Sequence, residues 1–195
     1  MAPYDNDDVR TCCFGMIEQY LIAGALGLLR RWDERFVWSP GGDEAGHGCT
    51  VMAAIELGCE GVCGSLLLLA SQDLVSSMCP RSSGVDRDIE RELLGDTLGE
   101  FANMLLGRIK NRLVGHALEP VISTPTCVLA DELVLPEPQE GMTAWHAFRA
   151  GASRTLLVRC TALLGPGFDL VVGAGEQPVL REGEVMMFDM AEVKR

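Results

Sequence analysis

The sequence predicts an α+β domain: an antiparallel β-sheet with helices packed on it, one of them long. Three observations lead there. The apolar runs Thr50–Leu57 and Val62–Ala70 are separated only by Gly58-Cys59-Glu60-Gly61, the layout of a hairpin, and hairpin strands pair antiparallel. A second hairpin is predicted where Arg154–Leu164 runs through Gly165-Pro166-Gly167 into Phe168–Val172. Between them, from Asp86 to about Val114, the apolar residues recur with helical rather than alternating spacing. Strands grouped in runs and interrupted by adjacent helices fit an α+β layout better than a doubly wound parallel sheet.

The size and charge narrow the class. At 195 residues with 48% apolar content, the chain can bury a core as one domain with extensions. A formal charge of −12 argues against nucleic acid and against an anionic membrane surface, both of which need clustered cations. Uninterrupted apolar runs such as Leu66–Ala70 are far shorter than the roughly 20 residues of a membrane span, so no membrane insertion is expected. The acidic start, Met1 to Asp8, is unlike a secretory signal. The 8 cysteines form no C-x-x-C pair and lie mostly within apolar segments, which predicts free thiols in a reducing, cytoplasmic setting; the 3 histidines have no ligand spacing with them.

In chain order, residues 1–12 are expected as a disordered acidic leader, 13–173 as the domain and 174–195 as a C-terminal extension. Phe14 to Trp32 reads as a helix, with Arg30 and Arg31 at its negative end. Ser39–Gly48 reads as a loop whose glycines lack any phosphate-binding pattern. After the first hairpin, Ser71 is expected to cap a short helix over Gln72–Cys79, stopped by Pro80. The long helix follows, with Arg108, Lys110 and Arg112 complementing its dipole and Gly115 ending it. Ala117–Ile122 and Thr126–Ala130 read as extended, broken by Ser123-Thr124-Pro125; Asp131–Gly141 reads as a loop; Thr143–Ala150 fits a strand or a short helix. Val185–Phe188 is a possible short strand in the tail.

The most informative stretch is Asp96 to Gly107. At about 100° per residue, Asp96, Glu100, Asn103 and Gly107 fall on one stripe, while Leu94, Leu98, Phe101, Leu105 and Ile109 fall on the other side. The pattern is carried at a cost, since Gly95, Gly99 and Gly107 each give up about 1 kcal/mol of helix propensity relative to Ala. Glycines that permit close packing beneath a plain solvated face would account for this too. Elsewhere, His116 is expected as a helix-terminal charge, His47 and His146 on loops or the surface, and Ser123 in turn chemistry. Trp32, Trp38 and Trp145 are expected in the core or an interface, and Cys59 and Cys63 as buried thiols near a hairpin.

The spacing Asp/Ser-x-x-x-Glu-x-x-Asn-x-x-x-Gly resembles the signature of the CheC/CheX/FliY chemotaxis phosphatases, here Asp96, Glu100, Asn103 and Gly107 in register. The order of elements around it is similar as well: a hairpin with Gly58–Gly64, a short helix, the motif helix, then Ile122 to Val128. The resemblance spans roughly Phe14–Val172. Only one motif is visible, because Glu18 is followed three residues later by Leu21, and this favours the CheX-like type over CheC-like members with two.

The resemblance implies a homodimer formed through sheet edges and a phosphatase acting on the aspartyl phosphate of a CheY-like receiver. Glu100 would dock on the receiver's lysine and Asn103 would orient the attacking water. Asp96 and Gly107 would border the partner, and Mg²⁺ would sit on the receiver, with no cofactor bound by this chain. Such roles agree with the residue types. An acyl phosphate is already activated, so positioning a water supplies what is missing. A neutral amide does this without repelling the anion. The alternative is a non-catalytic adaptor that binds a receiver or a flagellar switch component through the same helix.

Overall fold

The computed structural model describes residues 6–41, 48–79, 87–130, 134–137, 140–166 and 168–170. They form ten elements: α1 (Asn6–Leu29), β1 (Val37–Pro40), β2 (Val51–Cys59), β3 (Val62–Ala70), α2 (Gln72–Met78), α3 (Arg87–Val114), β4 (Val121–Ile122), β5 (Thr126–Leu129), β6 (Met142–Ala150) and β7 (Arg154–Leu164). The strands make one antiparallel sheet in the order β1-β6-β7-β3-β2-β4, with β5 also on the outer side of β2. The α+β expectation and the first hairpin hold.

The main core lies between the sheet and the α1–α3 layer. Alternation along β2 sends Val51, Ala53, Ile55 and Leu57 inward, where they meet the buried stripe of α3: Leu94, Leu98, Phe101, Leu105, Ile109 and Leu113. α1 adds Phe14, Ile17, Leu21, Ala25 and Leu28. The stretch Asp8–Leu29, with mean hydropathy 1.6, is long and apolar enough to cross a membrane, although short uninterrupted apolar runs suggested no such segment. In this fold those apolar residues are spent on the core. A smaller cluster on the opposite face of the sheet joins Cys49, Leu67, Leu69, Ala147 and Leu157, with Leu135 packed over it. There Arg159 lies over the Trp145 ring and donates to the Pro136 carbonyl at 2.9 Å, which pins the 134–137 segment across that face.

Several expectations are corrected. Residues 6–12, assigned to a disordered leader, are helical, and Asp8 sits where a helix N-terminus favours negative charge. Val37–Pro40 is a strand, so Ser39 and Pro40 belong to it and not to the expected Ser39–Gly48 loop, and Pro40 is tolerated because β1 pairs on one side only. Thr143–Ala150 belongs to a strand, and the second hairpin joins β6 to β7 through a turn with Gly151 at φ 72°. Since β3 and β6 occupy both sides of β7, no edge is left for a strand after Gly165. Phe168 and Leu170 instead bury against the core, with the Leu170 N–H donating to Cys13 Sγ at 3.3 Å. Ala117–Ile122 is extended only over β4.

The ends of the helices also differ. The Ser71 hydroxyl makes no cap and accepts the Thr155 N–H at 3.0 Å, joining β3 to β7. Gly115 does not turn α3 off; Ala117 does, at φ 60°, with its N–H donating to the Val114 carbonyl and that of Leu118 to Leu113. The Pro80 stop and the Val185–Phe188 strand lie outside the described residues.

One histidine was misplaced by sequence. His146 is 3% exposed on the helix-facing side of β6. Trp38 Nε1–H donates to its Nδ1 at 3.3 Å, and an indole can only donate, so the neutral ring carries its hydrogen on Nε2. That nitrogen lies 3.2 Å from Glu18 Oε1 but off the line of a hydrogen bond. Burial lowers the pKa of His146 from 6.5 and raises that of Glu18 from 4.5. As pH falls through about 6.5, the unfolded chain takes up a proton that the native ring refuses. Stability is therefore full above this value and declines below it, until Glu18, shifted the other way, offsets the loss in more acid solution. Denaturant titration is expected to show the decline between about pH 7 and 6. Trp38→Phe, which removes the donor, should raise the His146 pKa in an NMR titration. A native His146 titrating at or above 6.5 would refute this account.

Candidate functional site

Packing decides which side of α3 is free. With its apolar stripe on β2, the opposite line points to solvent, and Asp96, Glu100 and Asn103 are all exposed. Three residues separate Glu100 from Asn103, about 4.5 Å along the axis, so the carboxylate and the amide stand one turn apart. Their side chains make no hydrogen bond or ion pair among the described residues. Both are left to solvent or to a partner.

The three glycines of the motif region divide into two kinds. A Cβ on Gly95 would lie 3.3 Å from Leu129 Cδ1, and one on Gly99 would lie 2.9 Å from Cys127 Sγ and 3.7 Å from Pro125. These two let the 125–129 segment press against α3. At Gly107 nothing lies within 4 Å, so its missing side chain serves no neighbour within the chain and leaves an opening at the end of the row. The close-packing account suits Gly95 and Gly99 but not Gly107.

The same segment fixes the approach to the row. Ser123, expected in turn chemistry, instead bonds across to β2: its N–H donates to the Glu56 carbonyl and its Oγ accepts the Glu56 N–H, each at 3.0 Å. Cys127 is half-buried beneath the helix; burial, then the Asp96 carboxylate, raises its pKa above 9.0. It is a packing thiol, far from the reactive kind. Cys160 is pushed up to about 12 by burial and is equally inert. All cysteines are free, but Cys63 is exposed and Cys59 only half-buried, against expectation.

The three cations of the helix, which sequence grouped as complements to the dipole, serve three different environments. Arg108 reaches across α1, with Nη1 3.5 Å from the Gly24 carbonyl and in the space left by Gly27. Arg112 is exposed on another side, about 160° round the helix from Asp96. Lys110 returns to the Asn103 side, about 40° from Asp96, and is half-buried. Helical phase would have separated them. Of the histidines, His116 bonds the Tyr20 hydroxyl at 2.9 Å, and His47 lies outside the described residues. Trp32 and Trp38 are about two-fifths exposed and Trp145 half-buried, so none is a core residue.

The cavity that α3 lines among the described residues does not serve this row. At about 30 Å³, between Ile17, Leu106, Ile109 and Cys160, it is apolar and lies on the core side of α3. Among the described residues no cluster of His, Cys, Asp or Glu could hold a metal ion.

One antiparallel sheet under two long helices, with an exposed Glu–Asn–Gly row on the second, defines a domain of the CheC/CheX type. Residues 51–146 match the family model described as chemotaxis phosphatase CheX, which places a CheX-like domain within the chain. Among solved structures, a CheC-like protein from Shewanella oneidensis matches with TM-score 0.61 at 19% identity, over 74% of this chain and 96% of that one. The CheX–CheY–BeF3–Mg complex from Borrelia burgdorferi gives 0.62 at 15%, over 74% and 96%. CheX from Vibrio vulnificus gives 0.61 at 15%, over 76% and 99%. At these identities the likeness is one of fold. No curated protein sequence matches the chain.

The two kinds of glycine should respond oppositely to Ala. Gly99→Ala forces Cβ toward a backbone-anchored thiol and is expected to cost about 1–3 kcal/mol. Gly107→Ala meets open space and should gain up to about 1 kcal/mol in helix propensity. Thermal denaturation of both variants checks this; equal shifts of the same sign would contradict the division.

Proposed function

We propose that this protein hydrolyses the aspartyl phosphate of a CheY-like receiver domain, with Glu100 docking on a receiver cation and Asn103 orienting the attacking water. The observation that carries the reading is the exposed Glu100–Asn103 step, unpaired among the described residues, beside the opening at Gly107. A site of this shape is half a site. The phosphoryl group, and the Mg²⁺ that neutralises it, would arrive on the receiver, and this chain would add a positioned water. Asn103 suits that task because an amide both donates to and accepts from water and carries no charge to repel the phosphoryl oxygens. Glu100 is placed one turn away, where its charge can pair with a cation without facing the phosphate. Asp96 would border the same partner one turn further on. Eight free thiols agree with a cytoplasmic setting, where such receivers work.

The test is decay of a radiolabelled phospho-receiver in the presence of catalytic amounts of the protein. Asn103→Ala is expected to lower kcat by about 100-fold while leaving binding intact, as loss of a transition-state positioning group should. Glu100→Gln should act mainly by raising KM. Full activity in Asn103→Ala would sink the mechanism. Binding without turnover of any phospho-receiver would leave the adaptor reading instead.

A homodimer joined through sheet edges belongs to the same reading. The outer edge of β1 is open among the described residues and carries Val37, 61% exposed, which favours a second copy there. Light scattering at micromolar concentration should give twice the chain mass of 21.1 kDa; the single mass would refute dimerisation.

A further inference from the structure

We propose that Lys110 is a second electrostatic anchor of the docking face, set to meet an acidic patch beside the partner's phosphorylation pocket and to fix which way round the partner binds. The proposal rests on the receiver reading and adds the charge pattern of its surface. Along one line of α3, exposed Glu92, Asp96 and Glu100 come first, then exposed, neutral Asn103, then the opening at Gly107, then half-buried Lys110. Lys110 stands seven residues beyond Asn103, about 10 Å along the axis. The other cations of this end are turned elsewhere, Arg108 onto α1 and Arg112 to another side. Lys110 makes no hydrogen bond or ion pair among the described residues.

The face is thus polarised, acidic toward the helix N-terminus and basic toward the C-terminus, with the amide at the crossing point. An acyl-phosphate pocket has the complementary polarity. The phosphoryl group and the carboxylates that hold Mg²⁺ make its mouth anionic, and a cation must lie on the side that receives Glu100. In the productive orientation Glu100 meets that cation and Lys110 meets carboxylates beyond the pocket. Turning the partner end for end would set Lys110 against the cation and the Glu92–Asp96–Glu100 series against the anionic mouth. Like-charge juxtaposition on both sides selects against that arrangement.

A role confined to the helix dipole is the competing account of Lys110, and the experiment separates the two. The probe is a CheY receiver domain carrying BeF3⁻ and Mg²⁺, a stable stand-in for the phosphorylated form, with binding read by calorimetry on the full chain. Lys110→Glu is expected to weaken binding about tenfold at low salt and Lys110→Gln by less, with the difference collapsing near 1 M salt, where the Debye length is about 3 Å. In the turnover assay KM should rise and kcat stay within about twofold, the signature of lost uniform binding. Affinity unchanged within twofold while both variants melt lower would assign Lys110 to the dipole and overturn the proposal. Wild-type binding without turnover, weakened in Lys110→Glu, would retain the anchor and remove the phosphatase mechanism. Turnover with unaltered Lys110→Glu affinity would do the reverse, and absence of wild-type binding would overturn both.

Discussion

The seat of α3 against the sheet and the 125–129 segment is the contact on which the working face depends. Leu98, Phe101 and Leu105 fix the helix on β2, and the absence of side chains at Gly95 and Gly99 lets Pro125, Cys127 and Leu129 close on its flank. Rotation of α3 by a single residue would carry Asp96, Glu100 and Asn103 about 100° round the axis, toward the sheet or toward α1. Such a rotation would also force Cys127 Sγ into ordinary side chains. The orientation of the carboxylate and amide is therefore set by apolar packing on the reverse of the helix, and no bond to either polar group is needed to hold it.

The chemistry follows from this economy of parts. Enzymes with their own pocket build an enclosed, desolvated site in which nucleophile and base are held by neighbours. Here the Glu100–Asn103 row is open, its groups are unpaired among the described residues and the cavity beside Leu106 and Ile109 lies on the apolar side. In the proposed reaction the second protein closes the site, and docking itself excludes water from around Asn103. Affinity and rate would then be linked through geometry rather than through a shared bonding network: Glu100 and Lys110 would govern how the partner sits, and Asn103 would act on what the partner brings.

Periodicity made much of this legible. The five apolar residues that sequence put on one side of α3 are all buried, and Asp96, Glu100 and Asn103 on the other are exposed. The hairpin of β2 and β3 was equally readable from two apolar runs and a short glycine-containing link. What sequence could not show depends on facing residues. Gly99 and Gly107 look alike in a helical pattern, and only Cys127 beside one and open space beside the other tell them apart. β1 has four residues, too few for a period to register, and β6 mixes His146 and Phe148 on one face with Trp145 and Arg149 on the other. His146 reads as a surface residue until Trp38 and Glu18, distant in sequence, are found beside it.

The free face also has an energetic basis. Leu94, Leu98, Phe101, Leu105, Leu106, Ile109 and Leu113 are all buried, each contributing about 1.5–3 kcal/mol relative to exposure. The three glycines of α3 together cost only about 3 kcal/mol in propensity. Burial exceeds that loss severalfold, and two of the glycines return part of it by admitting the 125–129 segment. The helix consequently holds its place without a hydrogen bond or ion pair from Glu100 or Asn103 among the described residues. Residues that carry no structural duty can be matched to a partner's charges without weakening the fold, so partner choice in this protein can change along one line of a single helix while the sheet beneath it stays the same.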